Sequence, residues 1–101
     1  MSVVIVLDCG ATNLRAIAID PQGDIVASHF MKNTTKQDEN NSDFHIWDFE
    51  DIWHKLIECG QRVVAEVGAK NVIAFTVTTF GVDGAPFDRN GNQIYPIISW
   101  K

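Results

Sequence analysis

Residues 3 to 20, VVIVLDCGATNLRAIAID, hold two short apolar runs separated by a small polar patch with one glycine. Runs this short and β-branched suit strands rather than helices, and a connection this tight between two strands makes the pair antiparallel. The first run, residues 3 to 7, reads as a strand buried on both faces that halts at Asp8. Residues 14 to 20 form the second strand, ended by the turn sequence Pro21 to Asp24 (P-Q-G-D). A third strand from Ile25 to about Met31 completes an antiparallel meander.

The polar stretch from Asn33 to Asp43, NTTKQDENNSD, reads as an exposed loop. Beyond it, Asp48 offers an N-cap for a helix from about Phe49 to Val67, with Gly68 as its stop. Ile52, Leu56, Cys59 and Val63 fall at helical spacing, flanked by Trp53, Ile57, Val64 and Val67 on a broad apolar face. Gly60 inside that helix costs about 1 kcal/mol relative to Ala, which suggests a close packing contact. Asn71 to Thr78 is then a fourth strand, joining the sheet in parallel after the helical crossover. Ala85 to Asp88, the turn Arg89 to Asn92, and Gln93 to Trp100 read as a final strand pair, with Pro96 at an edge or bulge. The expected fold is α/β: a mixed sheet in β-β-β-α-β order with a terminal strand pair.

A chain of 101 residues, 46% apolar, can bury a modest core. Its net charge of -5, without any basic run, argues against nucleic acid or an anionic membrane as partner. No segment reaches the roughly 18 apolar residues of a membrane helix, and the N-terminal run lacks a basic leader. Cys9 and Cys59 make no metal or redox spacing, so a cytoplasmic protein with reduced thiols is expected. His29, His45 and His54 share no spacing that would form a metal site. Asp48, Glu50 and Asp51 complement the helix dipole. The apolar end at I-I-S-W-K, with no cap or polar tail, looks cut.

Chemistry gathers at two places. At the first turn, Gly10 and Ala11 carry no bulk, so a phosphate could approach the backbone N–H groups. Thr12 and Asn13 add polar donors and Arg15 a positive charge. Asp8 repels phosphate and suits a hard cation such as Mg²⁺ held through waters. The alternative is a turn device, with Asp8 bonding its downstream backbone and Gly10 supplying a positive φ. The second place is VTTFGVDGA, residues 77 to 85, where a strand end leads to Asp83 between Gly81 and Gly84. A carboxylate there suits vicinal sugar hydroxyls, with glycines that let a ring approach; the alternative is a turn Asp and a bulge glycine. Trp100 is either a flat wall for a sugar or a core residue.

Taken in order, L-D-C-G-A-T-N-L-R, V-T-T-F-G-V-D-G-A and Y-P-I-I-S-W-K resemble the N-terminal part of the FGGY carbohydrate kinases, which belong to the actin-like ATPase group. The resemblance spans almost the whole chain and weakens only between Asn33 and Asp43. It implies an actin-like (ribonuclease H-like) domain and ATP-dependent phosphorylation of a ketose hydroxyl. L-fuculose at O1 fits the wording better than rhamnulose or xylulose. By the resemblance, Asp8 holds the Mg²⁺ water shell; Gly10, Thr12, Asn13 and Arg15 line the phosphates of ATP; Gly81, Asp83 and Trp100 meet the sugar. The general base, the adenosine site and the second lobe are expected beyond residue 101. Residues 1 to 101 are then the N-terminal portion of the first lobe, unable to turn over ATP alone and prone to self-association through exposed apolar surface. A non-catalytic sugar- or protein-binding module is the reading from a different class. Other actin-like ATPases are disfavoured by the run Gly81 to Ala85.

Overall fold

The computed structural model of the chain describes residues 1–81 and 83–99. In order lie β1 (Val3–Cys9), β2 (Asn13–Ile19), β3 (Ile25–Lys32), β4 (Lys36–Gln37), β5 (His45–Trp47), α1 (Phe49–Val67), a short 3₁₀ turn (Ala69–Asn71), β6 (Val72–Thr79) and β7 (Ile97–Ile98). The main sheet has the order β3-β2-β1-β6, with the first three strands antiparallel and β6 parallel to β1. The turn between β2 and β3 closes because the Asp20 carboxylate accepts from the N–H groups of Gln22 and Asp24 at 3.0 and 2.9 Å, while Gly23 takes φ +86°.

Strand alternation sends Ile5, Leu7 and Cys9 of β1 and Leu14, Ala16 and Ala18 of β2 to one face, and α1 lies across it. Ala16, Ala18 and Ala27 are all buried there, and their small size lets the helix approach the strands closely. On α1 the buried stripe is Ile52, Leu56, Cys59, Gly60 and Val63, as the helical spacing predicts. Trp53 and Ile57, expected on the same broad face, are exposed, so the stripe is narrower than the sequence suggests. Asp48 caps the helix by accepting from the Asp51 N–H at 3.2 Å, which holds its carboxyl below the usual carboxylate range. Gly68, at φ +89°, ends it with its N–H on the Val64 carbonyl. No helix among the described residues is long and apolar enough to cross a membrane.

Several expectations are corrected. β1 is not buried on both faces: Val4 and Val6 are only half-buried, because the one helix covers a single side of the sheet. Nor does β1 halt at Asp8, which pairs within the sheet with Arg15 and Thr78 on either side. The segment 33–43 is not simply an exposed loop. It contains β4, and it buries Asn33 and Asp38, the latter accepting from the Tyr95 hydroxyl at 2.5 Å. The terminal strand pair shrinks to a single bridge, Phe87–Gln93, around a turn in which Asp88 accepts from the N–H groups of Asn90 and Asn92. Instead Ile97 and Ile98 pair with Trp47 and Ile46, making a second sheet of order β4-β5-β7. In this position Ile97 packs against the buried cluster that contains Trp47. Pro96 lies just before β7, at an edge of this sheet, where a missing N–H costs nothing.

A Cβ at Gly60 would meet only Leu7 Cδ2, at 3.5 Å, which is ordinary contact rather than the tight approach expected. Gly60→Ala is therefore predicted to stabilise the protein, by up to about 1 kcal/mol, in denaturant unfolding. A loss of stability would contradict the ordinary contact with Leu7.

β6 is an edge strand whose helix-side face stays uncovered: Ile73, Phe75 and Val77 are 67%, 57% and 64% exposed. An apolar groove between this strand and α1 is lined by Leu7, Leu56, Val64 and Phe75, among others. A long apolar edge without charge or proline invites pairing with another chain. The 101-residue chain is thus predicted to self-associate in sedimentation at micromolar concentration, and Phe75→Lys to reduce that association. A strictly monomeric wild-type chain would contradict it.

Candidate functional site

Because β1 and β6 run parallel, their carboxyl ends lie side by side, with Asp8 opposite Thr78 and Cys9 opposite Thr79. Open α/β sheets bind ligands outside such strand ends. The first turn leaves β1 there, and the segment containing Gly81 and Asp83 leaves β6 there. One apolar cluster lies beneath both: Cys9, Leu14, Trp47, Ile52 and Leu56 are buried, with Ala11 and Phe80 packed against them.

At the first turn, Asp8 is spoken for by Arg15, its cross-strand neighbour. The guanidinium Nη2 and Nε both donate to Oδ2, at 2.8 and 3.1 Å, with the two side chains 49% and 25% exposed respectively. Such a partly exposed pair contributes about 1 kcal/mol or less, so an anion arriving at Arg15 can displace it cheaply. The carboxylate does not bond the downstream backbone, as a turn device would. Gly10 does not take a positive φ. It is glycine for another reason: a Cβ there would lie 2.8 Å from the carbonyl oxygen of Asn13. Its own N–H is used within the turn, donating to that same oxygen at 3.0 Å, so donation to a ligand falls to the groups that follow. Thr12 is exposed, and Asn13 belongs to β2 rather than to the turn.

Asn33 holds this turn from below, and sequence reasoning missed it inside a polar run. It is 3% exposed. Its side-chain N–H donates to the Gly10 carbonyl at 3.0 Å and its backbone N–H to the Thr12 carbonyl at 2.9 Å. Its Oδ1 is buried and has no hydrogen-bond partner among the described residues. An acceptor in that position suits a water rather than a phosphate oxygen. No local signal separates Asn33 from its polar neighbours; its role comes from β3 ending beside the turn. Cys9, buried at the end of β1, has its thiol pushed up chiefly by burial, the opposite direction to that of an activated thiol. Burial likewise raises the Cys59 thiol.

At the second place, Asp83 is half-buried and accepts from the indole N–H of Trp47 at 2.6 Å. Trp47 is stacked on Phe80 with ring centroids 5.1 Å apart. Gly81 and Gly84 have neither a positive φ nor a crowded surrounding: a Cβ at either would meet nothing within 4 Å. Nothing among the described residues requires a glycine at either position. Trp100 lies outside the described residues.

The resemblance implies a hydrated Mg²⁺ at the first turn. No group of three or more His, Cys, Asp or Glu side chains could hold a metal among the described residues. That ion is commonly held by one carboxylate, retained waters and substrate phosphates rather than by a protein cage. Asp8 is the carboxylate at the first turn that could take that part.

The two glycines called for by different causes respond differently to a methyl group. Gly10→Ala should cost about 1–3 kcal/mol in denaturant unfolding, since a backbone atom must move. Gly81→Ala should change stability by no more than about 0.5 kcal/mol. Equal losses at both would show that Gly81 has an internal structural duty.

Residues 3–101 match the N-terminal domain of the FGGY family of carbohydrate kinases. The L-fuculokinase of Haemophilus influenzae is 52% identical over 106 residues, covering 100% of this chain and 23% of that protein. The L-fuculokinase of Escherichia coli K12 is 44% identical over 99 residues, covering 98% of this chain and 21% of that protein. Among solved structures, Plasmodium falciparum glycerol kinase with ADP superposes with a TM-score of 0.79 at 20% identity, over 99% of this chain and 20% of that one. The chain thus spans less than a quarter of the length of these relatives. With the sequence match and the shared actin-like fold in agreement, the chain belongs to the FGGY family of carbohydrate kinases, as part of its N-terminal domain.

Proposed function

We propose that the chain is the N-terminal portion of the first lobe of an ATP-dependent sugar kinase, and that the complete protein phosphorylates L-fuculose at O1. The observation that carries this reading is the 52% identity, across the whole chain, to an enzyme named L-fuculokinase. The open segment around Asp83 supports it independently, since glycines without internal cause flank a carboxylate suited to vicinal hydroxyls.

On this reading Asp83, Gly81 and Trp100 hold the sugar, and the turn from Gly10 to Asn13 receives the β- and γ-phosphates of ATP. Arg15 leaves Asp8 for a phosphate oxygen, so the charge on Asp8 becomes available when negative charge arrives. Asp8 would hold Mg²⁺ through its water shell, and the ion would neutralise charge on the phosphoryl oxygens. The general base that takes the sugar proton, the adenosine pocket and the second lobe belong to the remainder of the protein. We place the activity in the cytosol, where both cysteines, free and buried here, stay reduced.

The test is coupled detection of ADP release by the full-length protein with L-fuculose, L-rhamnulose or D-xylulose. L-fuculose should give a kcat/KM at least about tenfold above the others. A higher value for another ketose would keep the reaction class and reassign the substrate. Asp83→Asn should raise KM for the sugar and leave KM for ATP unchanged; Arg15→Ala should do the reverse. Residues 1–101 alone should release no ADP, and sugar-dependent release by that chain would overturn the division of the site between two lobes.

A further inference from the structure

Trp47 lies far from both motifs in sequence and carries no feature of a binding residue: it is 1% exposed. Yet its indole N–H reaches Asp83 Oδ2 at 2.6 Å, across 36 residues of chain. We propose that Trp47 is a positioning residue for the sugar site, setting the orientation of the Asp83 carboxylate through this hydrogen bond. The inference rests on Asp83 being the ligand of the sugar hydroxyls.

Rigidity of the donor is the first argument. Trp47 is the last residue of β5, which is the central strand of the small sheet and so is paired on both sides, by β4 and by β7. The next residue, Asp48, is the N-cap of α1. The indole plane is held against Phe80 at an interplanar angle of 18°. A side chain fixed by strand, helix cap and stacked ring can hold a partner in one place, as a binding group needs. Asp83, in contrast, belongs to no strand or helix and follows a glycine-containing segment.

The second argument is the choice of acceptor. A buried indole N–H needs a partner, and any backbone carbonyl would serve. Here the partner is a carboxylate, which makes a shorter and stronger bond and retains acceptor capacity beyond the one N–H. A Cβ added at Gly81 or Gly84 would meet nothing within 4 Å among the described residues.

The test uses the full-length kinase with three variants: Asp83→Asn, Trp47→Phe, and Trp47 replaced by β-(3-benzothienyl)alanine, which keeps the ring system and lacks the N–H. The benzothienyl variant covers the case in which Trp47→Phe fails to fold. Removing the N–H should raise KM for the sugar about tenfold, with KM for ATP and the melting temperature unchanged. Combined with Asp83→Asn, it should add little, because both changes act through one carboxylate. If Asp83→Asn leaves KM for the sugar unchanged, the sugar reading of Asp83 fails, and the inference with it. If Asp83→Asn raises it but the benzothienyl variant does not, Trp47 is not a positioning residue and the sugar reading stands. Parallel rises in both KM values with a lower melting temperature would mark a merely structural indole and overturn the inference.

Discussion

The parallel pairing of β1 with β6 is the contact on which everything else depends. It joins strands separated by the whole meander, the small sheet strands β4 and β5, and α1. A parallel pair cannot be closed by a tight turn, so the intervening chain must cross the sheet and return, and α1 provides that crossing. Its consequence is functional as well as architectural. Only in a parallel pair do two strand ends with polar continuations finish on the same side, here Asp8 with its turn and Thr79 with the segment leading to Asp83. Had β6 paired antiparallel, the two motifs would stand at opposite ends of the sheet.

Below those ends, apolar packing sets where the polar groups stand. Cys9 and Ala11 of the first turn and Phe80 of the second segment share a single cluster with Trp47, Ile52 and Leu56. A close-packed interior transmits position, so the two polar motifs are held to a common base. The electrostatics above it are soft by comparison. The Asp8–Arg15 pair is partly exposed and weak, which suits a site where charged groups exchange partners as ligands arrive. The Asp83–Trp47 bond is different in kind, because its donor is buried and rigid. On the proposed reading, the first motif is rearranged by its ligand and the second is held ready.

The uncovered faces follow from the same topology. α1 spans β2, β3 and β1 but leaves the helix-side face of β6 bare, and among the described residues no layer covers the other side of the sheet. Ile73, Phe75 and Val77 are residues that ordinarily face a core. Their exposure accords with a chain spanning less than a quarter of the length of its relatives.

The three-stranded meander, the helix and its cap were legible in the sequence because they rest on local physics. Asp20 and Gly23 make a turn wherever they stand, Asp48 caps a helix start through its own side chain, and the spacing of Ile52, Leu56, Cys59 and Val63 marks one helix face. Gly81 and Asp83 could be singled out from composition at a strand end. What tertiary structure alone decided are matters of long-range competition. Ile97 and Ile98 left a local hairpin for the edge of β5. Asn33 moved from a polar loop into a buried position beneath the turn. Gly10 proved necessary for the Asn13 carbonyl beside it, not for its φ. Trp47, which reads as an ordinary core residue, became the partner of Asp83. Neighbouring residues report turns, caps and periodicity, since those energies act over a few positions. Which distant edge offers the better burial, and which buried donor meets which acceptor, depends on the whole packed arrangement.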